Sequence, residues 1–301
     1  VKRLTEIMYE RTALSFEVFP PKTDKGMAKL PDTLDHLYKF NPDYISCTYG
    51  AGGSNVGKNM DVCKLILNAE NETVPVTHFT CIGHTRETVK EQLQNYLDNG
   101  IDHMLALRGD LPYGWTGTNG DFAYATDLVA YVRKEFGDKF EIAVAGSPEG
   151  HIECRSLEAD IAHLKQDEGA DYIMTQLTFD MEQFKYWLDA IRMAGITMPV
   201  DVGVMPVVGK DAVINMCLSR NGCAIPRELA EVISHHWFDK DPDGNDLPEV
   251  KAAFREEGIE YTVDQLHEYM SLGVEGIHLY ALNKWEDVTE ILNRAGIRTV
   301  V

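Results

Sequence analysis

Glu17 is the first group in the chain placed to do chemistry. It lies in Ser15-Phe16-Glu17-Val18-Phe19, a β-prone run that Pro20-Pro21 brings to a stop. A carboxyl between Phe16 and Val18 is costly to bury unless something uses it. Desolvation there predicts a raised pKa, as a proton donor near neutral pH requires. The two prolines have no N–H for a sheet ladder, so the chain leaves the sheet after this run. The pattern recurs along the chain: an apolar run, a polar residue at its end, then a helix-like stretch. The ends supply Glu17, Thr48, His78, Arg108-Gly109-Asp110, Ser147, Gln176 and Asn283-Lys284. Such a ring of hydrogen-bonding groups with one acid and one guanidinium suits a flat, polar-edged heterocycle. A phosphosugar would want a Gly-rich turn after the last two runs. Gly109 would let backbone approach a ligand. Arg108 and Asp110 could instead close the bend as a local ion pair.

The elements that must position these residues are eight short runs, at 14–19, 44–49, 76–81, 103–107, 141–145, 172–179, 200–204 and 276–282. Most are continuously apolar, as parallel strands covered on both faces are. Between them lie amphipathic stretches. In 85–99, Val89, Leu93, Tyr96 and Leu97 fall at helical spacing and Asn99-Gly100 is the stop. In 180–194, Asp180 is the N-cap, Phe184, Trp187, Leu188 and Ile191 share a face, and Gly195 follows. The strand–helix repeat of about 30 residues is that of a βαβ series. It predicts a (β/α)8 barrel, an α/β TIM barrel formed by 1–301 as one catalytic unit, with its chemistry at the C-terminal mouth. A doubly wound sheet would want a Gly-rich turn where Pro20-Pro21 stands. The long gap before the eighth run is expected to hold extra helices at 226–237, 248–257 and 262–272.

A net charge of −20 argues against nucleic acid and anionic membrane surfaces as partners. No apolar run reaches the roughly 20 residues of a membrane helix, and the basic start has no apolar core of a signal peptide behind it. The six cysteines include no C-x-x-C pair. Cys47 and Cys81, in apolar runs, read as reduced buried thiols, which suits a cytoplasmic setting. No metal site is expected. Residues 239–244 copy half of a calcium loop, but the twelfth position is Val250 rather than Glu. His235-His236 reads as a helix-face pair.

Six motifs in order carry a resemblance: Ser15-Phe16-Glu17-Val18-Phe19-Pro20-Pro21, Thr48-Tyr49-Gly50-Ala51, His78-Phe79-Thr80-Cys81, Leu107-Arg108-Gly109-Asp110-Leu111-Pro112, Thr175-Gln176-Leu177-Thr178-Phe179-Asp180 and Tyr280-Ala281-Leu282-Asn283. Over nearly its whole length the chain resembles the methylenetetrahydrofolate reductase family, in its flavin-dependent catalytic domain. The resemblance implies a barrel holding FAD, with NAD(P)H and methylenetetrahydrofolate using the same flavin face in turn. It implies that Glu17 is the acid that protonates folate N10, that Asp110 meets the pterin and tunes the flavin, and that Gln176 and Lys284 serve the folate. Thr48, Tyr49, Ala51, His78, Arg108, Gly109, Asp110, Ala125, Ser147, His151, Asp160, His163 and Lys165 would hold the flavin. Ser147 stands where the family often has Tyr, and Lys284 where it has Arg. Two alternatives stay open: a flavin-free barrel that transfers a methyl group, and a flavin-poor, folate-binding or partner-dependent subunit of the same fold. Nicotinamide preference and self-association into a homo-oligomer are also open.

Overall fold

The computed structural model describes residues 3–49, 56–111, 114–164, 169–219, 221–238 and 240–299. Eight parallel strands close into a barrel in sequence order: β1 (Ala13–Val18), β2 (Tyr44–Cys47), β3 (Val74–Thr80), β4 (His103–Leu107), β5 (Glu141–Gly146), β6 (Tyr172–Thr175), β7 (Val200–Val204) and β8 (Gly276–Leu279). β8 pairs with β1 to complete the ring. This is the (β/α)8 barrel that the sequence predicts.

Around it run α1 (Leu4–Glu10), α2 (Asp24–Tyr38), α3 (Val56–Leu67), α4 (Arg86–Asp98), α5 (Ala125–Phe136), α6 (Leu157–Ala162), α7 (Met181–Met193), α8 (Lys210–Cys217), α9 (Arg227–His235), α10 (Pro248–Ser271) and α11 (Trp285–Ala295). Asp180 caps α7 as the sequence predicts, and Thr85 caps α4. Thr85 accepts from Thr88 N, and Asp180 accepts from Gln183 N. The helices bury their apolar faces against the outside of the barrel, with Phe184, Trp187 and Ile191 of α7 fully covered.

Most element ends fall within two residues of expectation, β2 closing at Cys47 instead of 49 and β3 opening at Val74 instead of 76; three larger differences stand out. β6 ends at Thr175 instead of 179, because Phe179 packs with Met205, Val207 and Phe254 in a separate cluster outside the sheet. β8 ends at Leu279 instead of 282, where the backbone turns left-handed at Leu282 (φ 48°) and Asn283 (φ 62°). The two helices expected at 248–257 and 262–272 are one helix, α10. Gly258 does not break it. A Cβ there would fall on the Val207 carbonyl, so the glycine serves close packing inside a continuous helix.

Strand alternation turns every second residue inward. Toward β4–β6 the middle of the interior is apolar, with Leu105, Ala143 and Met174, above buried His103 and Glu141 at the strand starts. Toward β1–β3, β7 and β8 it is polar: Ser15, Ser46, His78, Asp201 and His278 are all buried. None of the described helices is long and apolar enough to cross a membrane.

Candidate active site

Glu17 points into the C-terminal mouth with 14% of its side chain exposed. Its Oε2 lies 3.5 Å from His78 Nε2 on β3 and 3.7 Å from His278 Nε2 on β8. Ser46, beside Glu17 in register, spans both rings: its Oγ is 3.2 Å from His278 Nε2 and 3.2 Å from His78 Nε2. The carboxyl, a hydroxyl and two imidazoles therefore share one small volume. Burial pushes the Glu17 carboxyl up, but the nearby imidazoles of His278 and His78 outweigh it, so the group sits below its ordinary range. The raised value expected from Phe16 and Val18 is thus corrected. Burial holds His78 below the usual imidazole range, so at neutral pH its approach to Glu17 is a polar contact rather than an ion pair.

Beneath this cluster the polar column continues. Ser15 Oγ is 2.7 Å from His278 Nδ1 and 3.4 Å from Asp201 Oδ2, which accepts from the Tyr44 hydroxyl at 2.7 Å. Asp201 is fully buried, and burial pushes its carboxyl up to about 6.

The remaining expected residues ring the mouth. The Thr48 carbonyl is held by Asn59, whose fully buried amide also donates to Cys47 O and whose Oδ1 accepts from Thr77 and Tyr96. Tyr49 packs on Phe79 and donates to Gln92, so its side chain belongs to the layer under α4. Gly109 has φ +91°, and a Cβ there would meet Ile82 at 2.7 Å. Arg108 makes a two-pronged contact with Glu153, at 2.6 and 2.9 Å, rather than an ion pair with Asp110. Asp110 is exposed and accepts from Asn221 at 2.9 Å, across from the loop after α8. Gln176 is exposed just after β6, Lys284 is exposed at the start of α11, and Ser147 is half-buried after β5. Ala125 opens α5. Asp160 lies within α6, and His163 follows it as an exposed C-cap. His151 is exposed in the preceding loop, where its Nδ1 accepts from Glu153 N. Ala51 and Lys165 lie outside the described residues. His235 and His236 both contact Glu257 at 2.7 Å.

The loop after β8 is tied to β1. Asn283 Oδ1 accepts from Phe19 N at 3.2 Å, its Nδ2 donates to Phe19 O at 3.0 Å, and Leu282 N donates to Glu17 O at 3.0 Å. Two consecutive non-glycine residues in the left-handed region are strain held at the edge of the site.

Four site groups escaped the list of strand ends: Ser46, His278, Asp201 and Asn221. The first three sit at inward positions below the ends, in phase with Glu17 and His78, so strand parity was the signal for them. Asn221 had no local signal.

The sequence model of the methylenetetrahydrofolate reductase family matches residues 3–296. Methylenetetrahydrofolate reductase 1 of Schizosaccharomyces pombe is 32% identical over 96% of this chain and 46% of its own length. Methylenetetrahydrofolate reductase (NADH) 1 of Arabidopsis thaliana is 34% identical over 99% of this chain and 50% of its own. The chain thus spans about half the length of these eukaryotic relatives. The 5,10-methylenetetrahydrofolate reductase of Escherichia coli is 32% identical, covering 95% of this chain and 91% of that protein. Among solved structures, an uncharacterized Clostridium thermocellum protein that binds two copies of 5-methyl-5,6,7,8-tetrahydrofolic acid superposes over 98% of this chain with a TM-score of 0.63; its 13% identity speaks for the barrel alone. With a family match from one end of the barrel to the other, and relatives above 30% identity across nearly all of it, the chain belongs to the methylenetetrahydrofolate reductase family.

Proposed function

We propose that this chain reduces 5,10-methylenetetrahydrofolate to 5-methyltetrahydrofolate, with FAD as hydride carrier and a reduced nicotinamide as donor. Relatives named as NADH enzymes favour NADH. The observation that carries the reading is Glu17 at the mouth of a barrel of this family, within 4 Å of two imidazoles.

The residues present fit a flavin. Thr80 Oγ1 is buried at the end of β3 without a hydrogen-bond partner, close to where a Gly109 Cβ would be, and His84 Nε2 is likewise unpartnered. Both offer hydrogen bonds to a polar ring edge that approaches the Gly109 backbone. Thr48, His78, Arg108, Gly109 and Ser147 line the same rim, with Ala125, His151, Asp160 and His163 on the β4 and β5 side. A flavin there would take hydride from the nicotinamide and return it to the folate.

The chain's own residues supply the proton. Burial is already the largest influence on Glu17 and acts upward. A planar substrate over the mouth removes its remaining exposure and drives the carboxyl toward its protonated form. His278 Nε2 is placed to pass a proton to Oε2. Glu17 then protonates N10, the imidazolidine ring opens, and the resulting iminium carbon is the hydride acceptor. Asp110 and Gln176, exposed after β4 and β6, serve the folate.

A yellow purified protein with flavin absorbance separates this reading from a flavin-free methyl transferase or a flavin-poor binding subunit. In Glu17→Gln, flavin reduction by NADH persists, while reoxidation by methylenetetrahydrofolate falls by at least about 100-fold. Equal loss in both half-reactions would make Glu17 structural.

A further inference from the structure

Asp201 is a fully buried titratable group that the reaction above leaves unused. It sits inside the barrel, two strand layers below the mouth. Tyr44 from β2 donates to its Oδ2 at 2.7 Å, and Ser15 from β1 is 3.4 Å from the same oxygen. Its Oδ1 is buried with no hydrogen-bond partner. Space for the carboxylate comes from Gly276 on β8, the register partner of Asp201. A Cβ there would stand 2.6 Å from the Asp201 carboxyl carbon. A barrel interior is ordinarily filled by branched apolar side chains, so a half-satisfied carboxylate in a made-to-fit gap calls for a use.

Its connections run upward to the acid. Ser15 Oγ meets His278 Nδ1 at 2.7 Å, and the other ring nitrogen faces Glu17 Oε2 at 3.7 Å. Tyr44 stacks on the His278 ring, centroids 5.5 Å apart and planes 13° apart, which fixes the imidazole plane. Ser15 could also donate to Ile277 O at 3.3 Å, but a charged oxygen is the stronger acceptor. We propose that Asp201 is a positioning residue for the acid: a buried carboxyl group, held in place by Tyr44, that acts through Ser15 and His278 to hold a proton on the His278–Glu17 pair for delivery to the substrate. The inference rests on the reading of Glu17 as the acid.

The groups facing Asp201 are few. Tyr44, Ser15 and His278 touch or neighbour it, Tyr172 of β6 lies within its field, and Asp43 at the start of β2 opposes its ionisation. His278 in turn meets Glu17, and Ser46 relays to His78. The field of His278 favours ionised Asp201. By linkage the coupling is mutual, so removing the Asp201 charge acts back on the pair above it.

The test is the pH profile of each half-reaction by anaerobic stopped flow. Asp201→Asn keeps the shape and removes the charge. The limb on which folate-driven reoxidation falls with rising pH should move to lower pH by on the order of one unit, about a tenfold loss of rate above it. NADH-driven reduction should stay within about twofold. Tyr44→Phe, which keeps the carboxylate but withdraws its donor, should shift the same limb the same way by less, and it carries the test should Asp201→Asn not fold. A readout independent of flavin is the ¹⁵N-histidine NMR titration of the whole chain, with the His278 signal assigned by His278→Gln. In Asp201→Asn its midpoint should fall together with the kinetic limb. An unmoved limb and an unmoved His278 titration in a folded variant overturn the proposal. If instead Glu17→Gln leaves reoxidation intact, the acid reading itself fails; impaired Glu17→Gln beside unchanged Asp201→Asn sinks this inference alone.

Discussion

Glu141→Gln should loosen the bottom of the barrel without touching its mouth. Glu141 opens β5 with 2% of its side chain exposed and accepts from Leu4 N at 2.7 Å, Thr5 N at 2.9 Å and Thr5 Oγ1 at 2.5 Å. The carboxylate thus sits at the N-terminus of α1, where the free N–H groups and the helix dipole favour negative charge. His103 Nε2 is 3.0 Å away, off the line of a hydrogen bond, and its Nδ1 is 2.6 Å from Asp102. Although burial opposes both charges, the close approach of His103 and the bonds from Thr5 hold Glu141 down at about 2, and Asp102 and Glu141 hold His103 up at about 9. Each shift corresponds to roughly 3 kcal/mol. They are two views of one interaction and do not add, so about 3 kcal/mol is the ceiling for the loss, or a Tm drop of roughly 5 °C in a chain of this size. The Glu141 contribution is present above its unfolded value and is lost as pH falls through about 2. The His103 contribution is present below its unfolded value and is lost as pH rises through about 9. The gap between wild type and variant should therefore be full near about pH 5.5 and reduced near about pH 9.5. Thermal or urea melts at both values, at fixed FAD because ligand shifts stability, measure it. A gap of equal size at both would refute a charged His103 as the partner, and no gap at all would refute the cluster as a stabilising element.

Asp110→Asn should weaken folate binding by about tenfold, the loss of a charge-assisted contact of roughly 1.4 kcal/mol, and should raise the flavin potential; unchanged affinity and potential would place Asp110 outside the site. Asn283→Ala removes both bonds to Phe19 while leaving a left-handed backbone to hold, and should cost about 1–3 kcal/mol in melts with slower reoxidation by folate. Asn283→Gly relieves the strain but not the lost bonds, so it should recover stability more than rate; equal recovery of both would mean that the bonds to Phe19 do not position the end of β1.

The barrel was legible because its strands are covered on both faces and read as short apolar runs, and because the helix caps at Thr85 and Asp180 are local chemistry. What local pattern could not supply is tertiary. Phe179 looks like strand until Met205 and Val207 claim it for another cluster. Gly258 looks like a helix end until the Val207 carbonyl is seen to need its missing side chain. The candidate mouth residues stood out because seven of the eight apolar runs are followed by a polar side chain at or near their end. Their electrostatics did not. Phe16 and Val18 flank Glu17 in sequence but face the other side of the sheet, while the groups that set its proton affinity, His78 and His278, arrive from strands far along the chain. Asn221 meets Asp110 only because the loop after α8 folds over the rim.

The distribution of satisfaction inside the barrel separates the groups that stabilise from those that act. At the bottom, Glu141 has both backbone donors and a histidine, and a fully partnered buried charge keeps its place by geometry. At the top, Glu17 has only approaches of 3.5 and 3.7 Å, loose enough for a proton to move as the substrate settles. Asp201 lies between them with one oxygen held and one bare. Leaving a buried carboxylate half-partnered costs several kcal/mol that an apolar residue in the Gly276 gap would avoid. That cost falls directly beneath the acid, on the hydrogen-bonded line through Ser15 and His278, which is where a charge would have to stand to act on Glu17 without entering the mouth.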